Sequence, residues 1–469
     1  MTENTTANAY RSIDVATGTV LSDHKHATDA EISAALDNAH SAAASWGATS
    51  IEERAEIVRR VADLFAERQK ELGAIITREM GKPVAEAPGE AEFSGDIFRY
   101  YADNAAKLTE DLVIEDSAES RSVVQRRPVG TLLGIMPWNY PYYQVARFAA
   151  PNLMLGNTIL LKHAESVPES ALAIEKIMEE AGVPEGVYTN VFATHDQIST
   201  IIEDPRVQGV SLTGSERAGA AIAAQAGSAL KKAVLELGGS DPYVILSSDD
   251  IRAAARNALE VRLENTGQAC NSNKRIIVHE DIYDEFVDEA VHIIGALKPS
   301  DPTKVDNVLE AFGPMSSEGA ADKIVSQIKT AVDSGATLRT GGERLGGEYA
   351  DGFFVSPAVV TDIPVGSDIY YEEFFGPVVQ VYKVSSDEEA LQLANDTQYG
   401  LGSSVFATEE GRAEKFAEGL QAGMVGVNQA PPETEEMPFG GVKRSGYGRE
   451  LGPLGMDEFV NKRLFSVKK

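Results

Sequence analysis

From Gly130 to Leu237 the chain alternates short β-prone runs with helical stretches, and this alternation limits the fold more than any single residue does. Thr131 to Met136 and Thr158 to Lys162 are apolar runs of strand length. Pro168 opens a helix to about Ala181, which Gly182-Val183-Pro184 ends. Val187 to Phe192, Gln208 to Leu212 and Ala233 to Leu237 read as further strands, with helices over 196–203 and from Ser215. Strands joined by helices run parallel, because each crossover carries the chain back over one face of the sheet. A second run of this kind covers 241–427. Helices are expected there at 249–265, 281–297, 317–334 and 386–395, and strands at 274–279, 336–340 and 376–384. The class is therefore α/β, and 469 residues are long for one core.

The N-terminal part reads as a helical layer. Thr28 with Glu31, and Ser50 with Glu53, each form a capping-box pattern ahead of a periodic apolar stripe. The first helix spans 28–46 and the second runs from Ser50 to about Glu79. Gly81 and Pro83 break it, and a third fits 84–108. Two short segments, Arg121 to Arg127 and Leu464 to Val467, have strand character and polar flanks, a weak sign of pairing with another subunit.

Charge narrows the function classes. Lys plus Arg is 42 against 72 for Asp plus Glu, a net charge of −30, which disfavours binding to nucleic acid or to an anionic membrane. Met1 to Asp23 has neither the basic start nor the apolar run of a signal peptide. No apolar stretch reaches the roughly 18 residues of a membrane span. With one cysteine in the whole chain, a reducing, cytoplasmic location is expected. The seven histidines form no cluster at metal-ligand spacing, so no metal is expected.

That one cysteine, Cys270, lies in Glu264-Asn265-Thr266-Gly267-Gln268-Ala269-Cys270-Asn271. A lone thiol is core filler, a surface thiol or a nucleophile. Its polar neighbours suit a tight turn that presents a side chain to a cleft. Glu236, between Leu235 and Leu237, is a carboxyl in apolar company, either a general base of raised pKa or a buried ion-pair partner. Asn139, in Pro137-Trp138-Asn139-Tyr140-Pro141, is a rigidly held amide, fit for an oxyanion or merely a turn residue. Thr213-Gly214-Ser215 leads from a strand into a helix with Gly219 in its first turns. Such a helix start suits a pyrophosphate, although the usual dinucleotide glycine fingerprint is absent. Lys162 and Glu165 end a strand where a ribose could be held, or form a solvated pair.

Taken together these stretches resemble the aldehyde dehydrogenase superfamily over nearly the whole chain. Pro137 to Asn139, Lys162 to Glu165, Thr213 to Ser215, Glu236 to Gly239, Gly267 to Cys270, Glu373 to Pro377 and Pro438 to Gly441 follow the family's order. The resemblance implies a Rossmann-like cofactor domain (1–118 and 130–238), an α/β catalytic domain (239–440) and a β oligomerisation arm (119–129 and 452–469). It makes Cys270 the nucleophile and pairs Asn139 with the Cys270 backbone N–H as oxyanion hole. Glu236 becomes the base that activates water to release the acid from a thioester. Lys162 and Glu165 would hold the adenosine ribose, Ser215 the pyrophosphate and Glu373 the nicotinamide ribose. Met136, Pro137, Trp138, Gly214, Gly219, Gly238 and Phe375 would complete the cofactor site. Partners are expected to be a small aldehyde and further copies of the chain, as dimer or tetramer. A catalytically idle member is disfavoured by the intact Cys270, Asn139 and Glu236 set, and a CoA-acylating one by Glu236.

The segments Pro137 to Arg147 and Phe439 to Leu451 are most similar to bacterial succinate-semialdehyde dehydrogenases. The resemblance places Arg147 at the substrate's distal carboxylate, for which a guanidinium is a good fork, with Tyr143 beside it. Glu264 and Glu433 fall at substrate-pocket positions, and a pocket-facing Glu433 would repel a carboxylate. Broad use of neutral aliphatic or aromatic aldehydes is the alternative. Glu165 favours a free ribose 2′-hydroxyl, so NAD is expected to be preferred, with NADP possible.

Overall fold

A computed structural model describes residues 10–469. Its first sheet has six strands, in the order Gly446–Tyr447, Lys232–Glu236, Val207–Thr213, Thr131–Met136, Thr158–His163 and Tyr188–Asn190. All neighbours are parallel except the outermost pair, where Gly446 lies opposite Glu236. Thr131–Met136, the first of the parallel strands in sequence, is central. Later strands fill one side and then the other, so the order reverses between Thr131–Met136 and Val207–Thr213. In doubly wound sheets a ligand crevice opens beyond the carboxyl ends of strands at such a reversal.

The second sheet has seven strands: Thr337–Thr340, Ala358–Thr361, Val378–Val384, Arg275–His279, Pro242–Ile245, Ser404–Phe406 and Gly426–Val427. It is parallel apart from its first pair. Thr158–His163 and Pro242–Ile245 are buried along their whole length, as strands covered on both faces must be.

Both capping boxes form. Thr28 accepts from the Glu31 N–H at 3.2 Å while Glu31 accepts from the Thr28 N–H at 2.7 Å, and Ser50 and Glu53 do the same. The expected helix from Ser50 to Glu79 is two helices, Ile51–Glu67 and Gln69–Met80. Phe65 and Leu72, one heptad apart, are both buried, so the apolar stripe continues across the break and hides it. The expected 84–108 helix is Ala87–Leu108.

Tyr143–Leu155 is a helix that the pattern did not announce. All its residues are buried, so it has no polar face to give a period, and Pro151 inside it reads as a breaker. The hairpin Tyr10–Asp14 with Thr19–His24 was also unmarked.

The two segments expected to form an arm lie in one sheet with a third strand. Ser120–Pro128 pairs antiparallel with Val460–Lys468 on one side and with Leu112–Asp116 on the other. Residues 112–116 therefore belong to this three-stranded sheet, not to the cofactor half. The helix Gly452–Met456 turns back to the core instead. Met456 is fully buried, and the Tyr101 hydroxyl donates to Gly452 O at 2.9 Å.

Candidate active site

Cys270 lies half-buried after a backbone segment that few sequences tolerate. Asn265, Thr266 and Gly267 have φ of 49°, 56° and 73° in succession. Left-handed backbone is costly for a β-branched Thr and persists only where the surroundings fix it. Here they do. Asn265 Nδ2 donates to Asn139 O at 2.9 Å, its backbone N–H donates to Glu86 at 2.9 Å, and Gln268 Oε1 accepts from Ser316 N at 3.0 Å. Two buried cations tie the loop down. Lys274 Nζ donates to the carbonyls of Ala269 and Cys270, both at 2.7 Å, and lies 3.1 Å from Glu373. Arg262 donates to Gly267 O, Ser272 Oγ, Phe374 O and Val378 O at 2.8–3.1 Å.

Two cavities meet at Cys270, which lines both, as does Gln144. One, of about 250 Å³, runs along the crevice at the strand-order reversal, past Pro137, Trp138, Gly214, Ser215, Gly238, Glu373 and Phe375. Trp138 and Phe375 meet edge to face, with centroids 5.8 Å apart. Glu373 accepts from the Gly239 N–H at 3.0 Å, and a Cβ at Gly238 would come within 2.6 Å of Glu373. Ser215 caps the helix Glu216–Ser228, and Thr213 Oγ1 is buried beside it without a partner. Small walls, an orphaned hydroxyl and a helix N-terminus fit a dinucleotide.

Four expected cofactor residues do not line this crevice. Met136 is buried at its strand's end. Gly219 packs under Leu237, where a Cβ would sit 2.6 Å from a methyl, so its smallness serves helix–strand contact. Lys162 and Glu165 pair at 2.6 Å at the end of Thr158–His163. Burial raises the Glu165 pKa, but the Lys162 ammonium outweighs it and holds the carboxylate below its usual range.

The second cavity, of about 510 Å³, leads from Cys270 to solvent on the other side. Arg147, Tyr143, Glu264 and Glu433 all line it. Arg147 is 1% exposed, its Nε is 2.7 Å from Glu450, and its plane lies over Tyr143 and Phe439 at 4.5 and 4.1 Å. Its Nη2 has no partner. Glu433 faces the cavity, accepting from the Asn271 amide and, at 3.3 Å, from the Tyr143 hydroxyl. Glu264 accepts from the Tyr140 hydroxyl at 2.9 Å.

Asn139 is oriented by its neighbours. Its Oδ1 accepts from Gln144 Nε2 at 2.9 Å and its Nδ2 donates to Gln268 O at 3.0 Å, which leaves a second amide hydrogen. Glu236 is 2% exposed, with both oxygens unpartnered. Burial, and next the Glu450 carboxylate, raise its pKa well above the carboxylate range. Burial also pushes the Cys270 thiol up to about 12, against the pull of Arg147 and Lys274.

Gln144, Glu450 and Glu86 escaped the sequence reading. Gln144 and Arg147 are one helical turn apart, a signal legible only once that helix is recognised. Glu450 stands in Gly448-Arg449-Glu450-Leu451-Gly452, an acid in a glycine-rich turn before an apolar residue. Among the described residues no cluster of three or more His, Cys, Asp or Glu could hold a metal ion, and no helix is long and apolar enough to cross a membrane.

The profile of the aldehyde dehydrogenase family matches residues 1–464. Succinate-semialdehyde dehydrogenase [NADP(+)] of Deinococcus radiodurans is 46% identical over 97% of this chain and 94% of its own length. The crystal structure of succinic semialdehyde dehydrogenase from Streptococcus pyogenes with NADP+ superposes with a TM-score of 0.93 at 39% identity, covering 98% of this chain and 100% of that one. PnpE, from Pseudomonas sp. WBC-3, in complex with nicotinamide adenine dinucleotide gives a TM-score of 0.93 at 33% identity, over 97% and 93% of the two chains.

Proposed function

The chain belongs to the aldehyde dehydrogenase family, and we propose that it oxidises succinate semialdehyde to succinate, the substrate for which its relatives are named. The observation that carries the reading is Cys270 in the wall of both cavities, with room for an aldehyde on one side and a hydride acceptor on the other.

A bound nicotinamide dinucleotide supplies that acceptor. Ser215 and the first turn of Glu216–Ser228 would hold its pyrophosphate, Glu373 the nicotinamide ribose, and Lys162 with Glu165 the adenosine ribose. Cys270 Sγ, as thiolate, attacks the carbonyl carbon. The resulting oxyanion is met by Asn139 Nδ2 and the Cys270 backbone N–H, and one such donor is worth ~3–4 kcal/mol. The thioester left after hydride loss is opened by water, whose proton Glu236 takes. Glu236 is kept neutral at rest by its apolar site and by Glu450, so it must ionise before it serves as base.

Arg147, with Nη2 unpartnered, supports a carboxylate-bearing substrate. Neutral aldehydes are the second reading, favoured by Glu264 and Glu433 on the same wall. On the cofactor the names of the relatives and Glu165 point in opposite directions, and we infer that both NAD and NADP are used. The arm, apolar and exposed, joins copies of the chain.

The test is pre-steady-state oxidation by Glu236→Gln. A burst of reduced nicotinamide near one equivalent should remain while steady turnover falls by about 10²–10⁴-fold, the range for loss of a general base. A loss of burst and turnover in equal measure would show that Glu236 does not act at deacylation.

A further inference from the structure

The aldehyde-side cavity is acidic in a way that a carboxylate substrate does not explain. Its two cations each already face a carboxylate inside the protein, Lys82 with Glu90 at 2.5 Å and Arg147 with Glu450 at 2.7 Å, all four side chains being buried, and only Arg147 Nη2 is left unpartnered. Glu86, Glu264 and Glu433 also line it, and none has a cationic partner within ion-pair distance among the described residues. Each is held in place. Glu86 accepts from the Asn265 N–H, Glu264 from Tyr140, and Glu433 from Asn271 and Tyr143. Glu264 and Glu433 are exposed at the rim, whereas Arg147 lies fully buried.

Two further features point to an electron-poor occupant. Gln144, 2% exposed, lines the same cavity with its acceptor Oε1 unpartnered. The walls include Phe93, Tyr140 and Tyr143, and aromatic faces beside carboxylates are the usual surroundings of alkylammonium groups. The Lys82 ammonium already lies 3.4 Å from the Tyr140 ring centroid. The acids also raise one another. Burial and then Glu264 push Glu86 up to about 7. A positive charge between them would relieve that repulsion.

We propose that this cavity takes, as a further substrate class, aldehydes that carry a permanent positive charge at the end remote from the carbonyl, recognised by Glu264 and Glu433 at the rim with Glu86 behind them. The proposal rests on Cys270 as the aldehyde nucleophile. A short semialdehyde would place its carboxylate deep, at Arg147, whereas a longer cationic aldehyde would reach the rim. The chemistry is unchanged. A carbon–sulfur bond forms at Cys270, and the aldehyde C–H bond breaks, its electron pair leaving as hydride to the oxidised nicotinamide. Water then displaces the sulfur. One aldehyde, one water and one oxidised nicotinamide give one carboxylate, one reduced nicotinamide and two protons.

The test compares 4-(trimethylammonio)butanal with 5,5-dimethylhexanal, its neutral isostere, so that charge alone differs. The quaternary nitrogen also prevents cyclisation. The cation should show at least about tenfold higher kcat/KM, falling with added salt because the rim is open to solvent. Glu264→Gln with Glu433→Gln should bring the ratio toward one. A wild-type ratio of one or below, or a ratio unmoved in the double variant, overturns the proposal. Succinate semialdehyde and butanal run beside them: if no aldehyde is oxidised, the reading of Cys270 fails instead. Calorimetric titration of n-butyltrimethylammonium into the protein decides the cation site even then. Binding lost in the double variant supports the site, and absent or unaltered binding refutes it.

Discussion

At the scale of single residues, the Cys270 thiol is a poor nucleophile until something changes its surroundings. Burial pushes Cys270 up to about 12, and the opposing pull of Arg147 and Lys274 does not cancel it. A raised acid pKa means the protonated form is kept, so at pH 7 the thiol dominates. Alkylation of cofactor-free protein by iodoacetamide should then rise about tenfold per pH unit from 7 to 9 without levelling, since the thiolate is the reacting species. A plateau below pH 8, measured by mass of the modified protein, would show that the two cations outweigh burial. Glu165 sets a second expectation. Its charge is partly exposed and shared with Lys162, so Glu165→Ser should raise kcat/KM for NADP over NAD by only about two- to fivefold, the worth of one exposed charge contact. An unmoved ratio would remove Glu165 from the ribose. Cys270, Glu236 and Asn139 stood out in sequence as candidates because each sits in a short stretch whose neighbours single it out. Gln144 and Glu450 were not. Gln144 works by turning the Asn139 amide, and Glu450 by lying against Arg147 across a span of 303 residues, and no local pattern encodes either contact.

At the scale of elements, the amphipathic helices were readable because one face of each meets water, and the strands because they are short apolar runs between turn signals. The helix Tyr143–Leu155 was not, and it is the one that carries Gln144 and Arg147 into the site. Its N-terminus has no capping side chain of its own. Glu90 takes that place from another helix, accepting the N–H groups of Tyr142 and Tyr143 at 2.9 and 3.3 Å, while Lys82 neutralises it from behind. Glu90→Ala would leave both N–H groups and a buried ammonium without partners. The expected loss is about 3–5 kcal/mol of unfolding free energy, the usual result of breaking a buried pair. Lys82→Met with Glu90→Met together should cost less than Glu90→Ala alone, because no charge is then stranded. Urea titration of the variants checks both, and a double variant less stable than the single one would refute the stranded-charge account. The left-handed run Asn265 to Gly267 was hidden for the same reason as the helix: its cost is met by Asn139, Glu86 and Ser316, all distant in sequence.

At the scale of the whole molecule, the two large sheets were visible in advance because parallel sheets need long, regular crossovers. The arm was only half visible. Leu112, Val113 and Ile114 are 50–61% exposed, and Leu464, Phe465 and Val467 are 44–67% exposed, on the two outer strands of one three-stranded sheet. Such exposed apolar edge strands are not stable monomer surface, and they invite a further strand. The pairing Ser122 with Ser466, hydroxyl to hydroxyl at 2.7 Å, fixes the register within the arm and leaves the outer edges of Leu112–Asp116 and Val460–Lys468 open. We propose a second copy of the chain as their cover, since an isologous pair buries the same strands twice. Deleting 460–469 removes one edge and strips Ser120–Pro128 of one of its two partner strands, so light scattering should show a smaller assembly than the full chain forms. Leu464→Glu with Phe465→Lys is the milder variant: it keeps the strand and charges both its faces, and should shift the equilibrium in the same direction. If both variants keep the full-length mass, the arm does not hold the copies together, and the contact lies elsewhere on the two sheets.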